Sequence, residues 1–107
     1  MNFKKNLQLS NLFEFYGKLL TPHQQNIFTE YYFNNMSLGE IAENFNISRQ
    51  AVLDSLQKSE KQLNYFENIL LISKKYHSLK KLVTELDEQK NSQIISKLKD
   101  VLSEWEE

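Results

Sequence analysis

Ser48-Arg49-Gln50, continued along the same stretch by Gln57, Lys58 and Lys61, is the set of side chains in this sequence best suited to act on another molecule. A hydroxyl, a guanidinium and a carboxamide in succession suit the start of a helix, where free backbone N–H groups and the helix dipole favour phosphate. Arg and Gln are also the side chains that read base edges through paired hydrogen bonds. The combination predicts a nucleic-acid contact. Arg49 and Gln50 are the candidates for base or phosphate, with Ser48 holding the helix start and Gln57, Lys58 and Lys61 extending the surface. The basic potential is thin, because Arg49, Lys58 and Lys61 face Asp54 and Glu60, a local net of 3 − 2 = +1. Each neutralised phosphate adds to affinity and to its salt dependence, so one copy of this patch predicts weak binding. Apolar Leu53 is expected on an outer position of the same helix.

Other chemistries find less support. Two glycines in the chain are too few for a phosphate-cradling loop. His23 and His77 are far apart and lack a carboxylate pair at ligand spacing, so no metal and no cofactor is expected. Zero cysteines exclude a disulfide scaffold, a thiolate zinc site and a Cys nucleophile, and they fit a reducing compartment. The paired acids Asp87-Glu88 and Glu106-Glu107 fall in an expected linker and at the terminus, where solvation explains them. Lys74-Lys75 and Lys80-Lys81 form the densest basic feature, either a solvated helix face or a contact for RNA or an acidic partner. Phe13, Phe15, Tyr16, Phe28, Tyr31, Tyr32 and Phe33 read as core rather than as a base-stacking platform. No catalytic constellation emerges, so no enzyme is expected.

The elements that must hold these residues are helices. With 107 residues, 40% hydrophobic and 12% aromatic, the chain has the length of one domain and the material for a core. Two Gly and one Pro are too few for the turns of an antiparallel sheet, which leaves an all-α class. Leu9, Leu12, Phe13, Tyr16, Leu19 and Leu20 make a first apolar stripe at helical spacing. Thr21 and Gln24 form a capping box around Pro22, and Ile27, Phe28, Tyr31 and Tyr32 face inward behind it. Asn34-Asn35 ends that helix. A second capping box, Ser37 to Glu40, opens a short helix with Leu38, Ile41, Ala42 and Phe45 inside. Asn46 turns the chain and Ser48 caps the next helix, so residues 37–61 have the spacing of a helix-turn-helix.

From Arg49 onward no Pro or Gly occurs, and a helix of nearly forty residues is out of proportion for so small a domain. A break is expected between about Asn68 and Ser73, and a linker from Asp87 to Ser92. Val52, Leu56 and Leu63 face inward, followed by Tyr65, Phe66, Ile69, Ile72, Tyr76, Leu79, Val83 and Leu86. Ile94, Ile95, Leu98, Val101, Leu102 and Trp105 form the face of a last helix. These late stripes exceed what one small core covers, and two of them packed about a two-fold axis predict a homodimer. No stretch approaches the roughly 20 apolar residues of a membrane span, and polar Gln8, Ser10 and Asn11 stand where a signal core would be, so a cytoplasmic protein without membrane contact is expected. The net charge of −1 confines nucleic-acid binding to a local patch.

The runs Leu20 to Gln25, Tyr31 to Phe33, Ser37 to Glu43 and Ile47 to Val52 resemble region 4 of bacterial sigma factors. More closely, they resemble the YlxM family of small DNA-binding proteins, in which an S-L-x-E-I-A-E segment leads into S-R-Q-A-V. Here those segments are Ser37 to Glu43 and Ser48 to Val52. With the first helix and the Lys61 to Leu71 extension, the likeness covers about two thirds of the chain. The chain is expected to divide into a helix-turn-helix core over residues 1–66, sigma region 4-like by this likeness, and a helical extension over 67–107 that packs on the core or dimerises, within one domain overall. The likeness also implies an accessory or regulatory role in signal recognition particle targeting, with the particle's RNA or proteins as partners. The alternatives are a DNA-binding transcriptional regulator unrelated to export, and a helical adaptor without nucleic-acid binding. Sigma-type recognition helices carry several exposed basic residues, and this chain has few.

Overall fold

A computed structural model of the chain describes residues 5–88 and 92–105. It is all-helical, with no strand among the described residues. The helices are α1 (Leu7–Tyr16), α2 (Pro22–Tyr32), α3 (Leu38–Phe45), α4 (Arg49–Leu70), α5 (Ile72–Glu88) and α6 (Ser92–Trp105), with a 3-10 turn at Gly17–Leu19. They divide into two compact units, Met1–Ile69 and Leu70–Glu107. No helix of the described residues is long and apolar enough to cross a membrane.

The first unit is built from short-range rules that its sequence obeys closely. The Asn6 side chain caps α1 by accepting from the Gln8 N–H at 3.0 Å. After Tyr16 the chain tightens into the 3-10 turn at a glycine for which space is decisive. A Cβ on Gly17 would come within 2.9 Å of the Phe13 ring. That ring stacks on Phe28 at 4.4 Å, and Phe28 in turn stacks on Tyr32 at 4.3 Å. The expected aromatic core is therefore present, except that Phe33 is 48% exposed. Leu19, expected in the first apolar stripe, is also exposed, whereas Leu20 is buried. The 3-10 turn changes the residue period, so a stripe extrapolated at α-helical spacing overruns it.

Both capping boxes form. Thr21 Oγ1 accepts from the Gln24 N–H at 3.2 Å while Gln24 Oε1 accepts from the Thr21 N–H at 3.1 Å. Ser37 and Glu40 make the same reciprocal pair at 3.1 and 3.0 Å. α2 stops at Tyr32, and Asn35 takes a left-handed conformation beyond it. Gln24 does more than cap. Its buried amide donates to Ser59 Oγ at 3.2 Å and to Gln62 Oε1 at 2.7 Å, tying the start of α2 to the middle of α4.

The core of the unit gathers Leu9, Tyr16, Ile27, Phe28 and Ile41 around Val52, Leu53, Leu56 and Leu63 of α4. Leu53 is thus a correction, since it is 6% exposed and not on the outer side. α4 buries two adjacent rows, Val52 and Leu53 both reaching the core, which a single-stripe reading does not anticipate. Of the apolar residues that follow, Tyr65 and Ile69 are exposed and Phe66 is partly buried.

α4 ends at Leu70, inside the interval where a break is expected, and Leu71 adopts φ 53° before α5 begins. A left-handed conformation in a leucine is rare and costs about 1–2 kcal/mol. In the second unit Tyr76, Val83, Ile95 and Leu102 are buried, and Lys99 pairs with Asp87 at 3.0 Å across α5 and α6. Leu86 and Leu98 are half-buried, while Ile72, Leu79, Ile94 and Val101 are exposed. Of the expected linker, Asp87 and Glu88 complete α5 and Ser92 opens α6. Residues 89–91, the Glu106-Glu107 pair and the Trp105 side chain lie outside the described part.

The left-handed Leu71 can be checked by substitution. Leu71→Ile adds β-branching in the region where it is least tolerated, and a loss of about 1 kcal/mol or more is expected. Leu71→Gly is expected to leave stability unchanged or to raise it by up to about 1 kcal/mol. Equal melting temperatures for the two variants would show that no left-handed residue separates α4 from α5.

Candidate nucleic-acid interface

The start of α4 is fixed by the turn before it. Asn46 caps α3 in the left-handed region at φ 55°, ψ 46°, and its N–H donates back to the Ala42 and Glu43 carbonyls. The Ile47 N–H donates to Ala42 O at 3.0 Å. Ser48 Oγ then accepts from the Ala51 N–H at 3.0 Å, satisfying one of the donors that a helix start leaves open. The turn is three residues long, which sets α3 and α4 as the consecutive helices of a helix-turn-helix.

Helical spacing decides which side chains share a surface. With Val52, Leu53, Leu56, Ser59 and Leu63 buried, the opposite side of α4 carries Gln50, Asp54, Gln57 and Lys61, separated by four, three and four residues. Lys58 borders this row. Gln50, Asp54, Lys58 and Lys61 are exposed and Gln57 is half-buried. Arg49 stands about 100° round from Gln50, exposed because the helix begins there. Five of the six candidate residues thus lie on α4 and Ser48 caps it, although Arg49, three and four residues before buried Val52 and Leu53, falls on the inward side by spacing and is exposed only at the helix start.

Asp54 is the residue that the sequence reading undervalued. Gln50 Nε2 donates to Asp54 Oδ1 at 2.8 Å, so the carboxylate holds the amide and places negative charge on the outer row. Their four-residue spacing was the available signal. Glu60, by contrast, leaves this surface. It is half-buried and close enough to Tyr32 to act on it: burial first, and then the negative charge of Glu60, push the Tyr32 phenol above its usual range. The exposed charges of α4 from Arg49 to Lys61 are therefore Arg49, Lys58 and Lys61 against Asp54, a net of 3 − 1 = +2.

Two neighbouring features shape the surroundings. Thr21, His23 and Gln24 at the start of α2 and Ala51, Asp54, Ser55 and Lys58 of α4 line a shallow groove of about 360 Å³. The His23 ring meets Phe45 edge-on at 5.9 Å, a packing role. The start of α3, in turn, is not an anion site. Glu40 occupies it, and hydrogen bonds from the Ser37 backbone and then its side chain hold that carboxyl below the usual carboxylate range.

The helix-turn-helix geometry has a counterpart among known proteins. The family described as "Putative helix-turn-helix protein, YlxM / p13 like" (UPF0122) matches residues 3–104. The chain belongs to this family. It is 40% identical to the UPF0122 protein YlxM of Bacillus subtilis over 88 residues, 82% of this chain and 80% of that one. A UPF0122 protein of Listeria monocytogenes is 39% identical over 104 residues, covering 95% and 94% of the two chains. One from Bacillus velezensis is 41% identical over 88 residues, 82% and 80%. The UPF0122 match runs through both units and is not confined to the helix-turn-helix.

The cap of α3 sets the approach to the turn, and it yields a prediction for this UPF0122 chain. Ser37→Ala is expected to lower stability by about 1 kcal/mol at neutral pH. The Glu40 carboxyl is depressed in the folded state, so its contribution is present above the ordinary carboxylate range and is lost as pH falls through the lowered value. The gap between the parent chain and Ser37→Ala should therefore narrow in acid. A gap that widens below pH 4 in thermal melts would contradict the assigned cap.

Proposed function

We propose that the chain is a non-enzymatic protein that binds duplex nucleic acid through the outer face of α4, as an accessory or regulator of signal recognition particle targeting in the cytoplasm. The observation that carries the binding half is the surface just described. It is a capped helix start with Arg49 and Gln50 exposed, and Lys58 and Lys61 continue it about two to three turns further along. The targeting half is supported by the family likeness alone. Its partners in this reading are the particle's RNA and proteins. The chain acts as a homodimer, because a net of +2 per copy gives few phosphate contacts and a pair doubles them.

A DNA-binding transcriptional regulator is the second reading. A single exposed helix fits the wide major groove of B-form DNA better than the deep, narrow major groove of duplex RNA. One competition assay separates the two, with the particle's RNA, its protein subunits and random-sequence duplex DNA offered to the purified chain. Preference for the RNA or the subunits supports the targeting reading. Tight binding to one defined palindromic DNA site, without the others, supports the regulator.

The side chains divide by role. Arg49→Ala is expected to weaken nucleic-acid binding while stability stays within about 0.5 kcal/mol, as for an exposed residue without buried partners. Lys58→Ala and Lys61→Ala should each reduce the salt slope of binding by about 1. Asp54→Asn keeps a hydrogen-bonding partner for Gln50 but removes the opposing charge, so it should bind random duplexes more tightly than the parent chain. Binding unchanged in all four variants, measured by fluorescence anisotropy, would remove α4 as the contact surface.

A further inference from the structure

We propose that one side of the α5–α6 hairpin is the surface on which a second copy of this chain docks, hairpin against hairpin about a two-fold axis. This extends the homodimer in the reading above by locating its interface, and it needs no nucleic acid. Val83 of α5 and Leu102 of α6 are buried and line the same small cleft between the two helices, so they mark where the helices meet. A second apolar row remains on each helix. On α5 it is Leu79, Leu82 and Leu86, and on α6 it is Ile94, Leu98 and Val101. Leu82, Ile94 and Val101 are each more than half exposed. Counting about 100° per residue, each row is turned from the contact row in the same rotational sense. In an antiparallel hairpin that puts both rows on one side. Two helices of this length, each about 10 Å wide, present a side of about 400 Å² per copy, about half of what a standard-size interface covers on each partner.

The charge pattern identifies the occupant. α5 carries Lys74 and Lys75 in its first turn, Lys80 and Lys81 at its middle, and Glu85, Asp87 and Glu88 at its end. α6 repeats the order, with Lys97 and Lys99 before Asp100 and Glu104. The basic first turn and acidic last turn of α5 and the acidic last turn of α6 oppose the helix dipole, and Lys81 four residues before Glu85 is the less favourable order within a helix. Part of the pattern serves the hairpin, since Asp87 takes Lys99. Lys75 and Glu85 are turned away from the contact row by helical position, on or beside the side that carries the second apolar row. In a two-fold pairing each helix lies beside an antiparallel helix of the second copy. Lys75 at the start of α5 then meets an acidic helix end and Glu85 meets a basic stretch, Lys97 if the neighbour is α6, a complementarity that the chain has with itself.

Sedimentation equilibrium of the full chain without nucleic acid tests this. The parent is expected to rise from 12.8 kDa toward twice that mass across the micromolar range. Leu82→Glu with Val101→Glu should stay at 12.8 kDa. Lys74→Glu with Lys75→Glu, both in the first turn of α5, should do two opposite things. It should raise helicity by circular dichroism, because the dipole is relieved, and weaken association by about tenfold, because the partner's acidic ends are repelled. Should the apolar double variant fail to fold, this second variant still decides. A parent that remains monomeric when concentrated overturns the proposal, as does association that survives either pair of substitutions undiminished.

Discussion

Everything on the outer side of α4 follows from how tightly its inner side is held. Val52, Leu53, Leu56 and Leu63 are buried, and Ser59 is fully buried as the acceptor of the Gln24 amide. A helix held by two adjacent apolar rows and a buried polar contact has no freedom to roll about its axis. Removing one leucine from such a packing costs about 2–5 kcal/mol, far more than any single contact on the outer face. The positions of Gln50, Asp54, Gln57 and Lys61 are therefore set by the core and not by each other.

The turn before α4 adds the second restraint. Left-handed Asn46 returns its N–H to the end of α3, and the Ser48 hydroxyl accepts from the Ala51 N–H, one of the open donors of α4. The two capping boxes and the Asn6 cap do the same at the other helix starts of this unit. Little in the first unit depends on long flexible connections, which suits a surface that must present side chains in fixed register. The charge on that surface is small, and Asp54 lowers it further while restraining Gln50. A restrained carboxamide of this kind favours discrimination between partners over raw affinity.

Much of this was legible in the sequence because it is local. Capping boxes at Thr21 and Ser37, the left-handed Asn46 and the inward positions of α2 and α3 depend on neighbours three or four residues away. The break before α5 followed from length alone, and nothing about Leu71 singled it out as its residue. What periodicity misplaced was Leu19, where a 3-10 turn changes the count, and Leu53, where two rows of one helix are buried instead of one. The Gln24–Ser59–Gln62 contacts link residues 35 and 38 apart, and no pattern within one segment reveals them. At the candidate interface the residue types were legible. The half-burial of Glu60, which leaves the exposed charge of α4 higher than a count along the sequence, depends on tertiary packing and was not.

The central claim is that the outward side of α4 is where nucleic acid is met. Amide chemical shifts of the labelled chain, followed by NMR while a short random-sequence duplex is added at low salt, test it most directly. The account predicts that the shifts that move cluster from Ser48 to Lys61, led by Arg49 and Gln50, while those of α1 stay still. Shifts confined to the lysine-rich start of α5, with α4 unmoved, would contradict it.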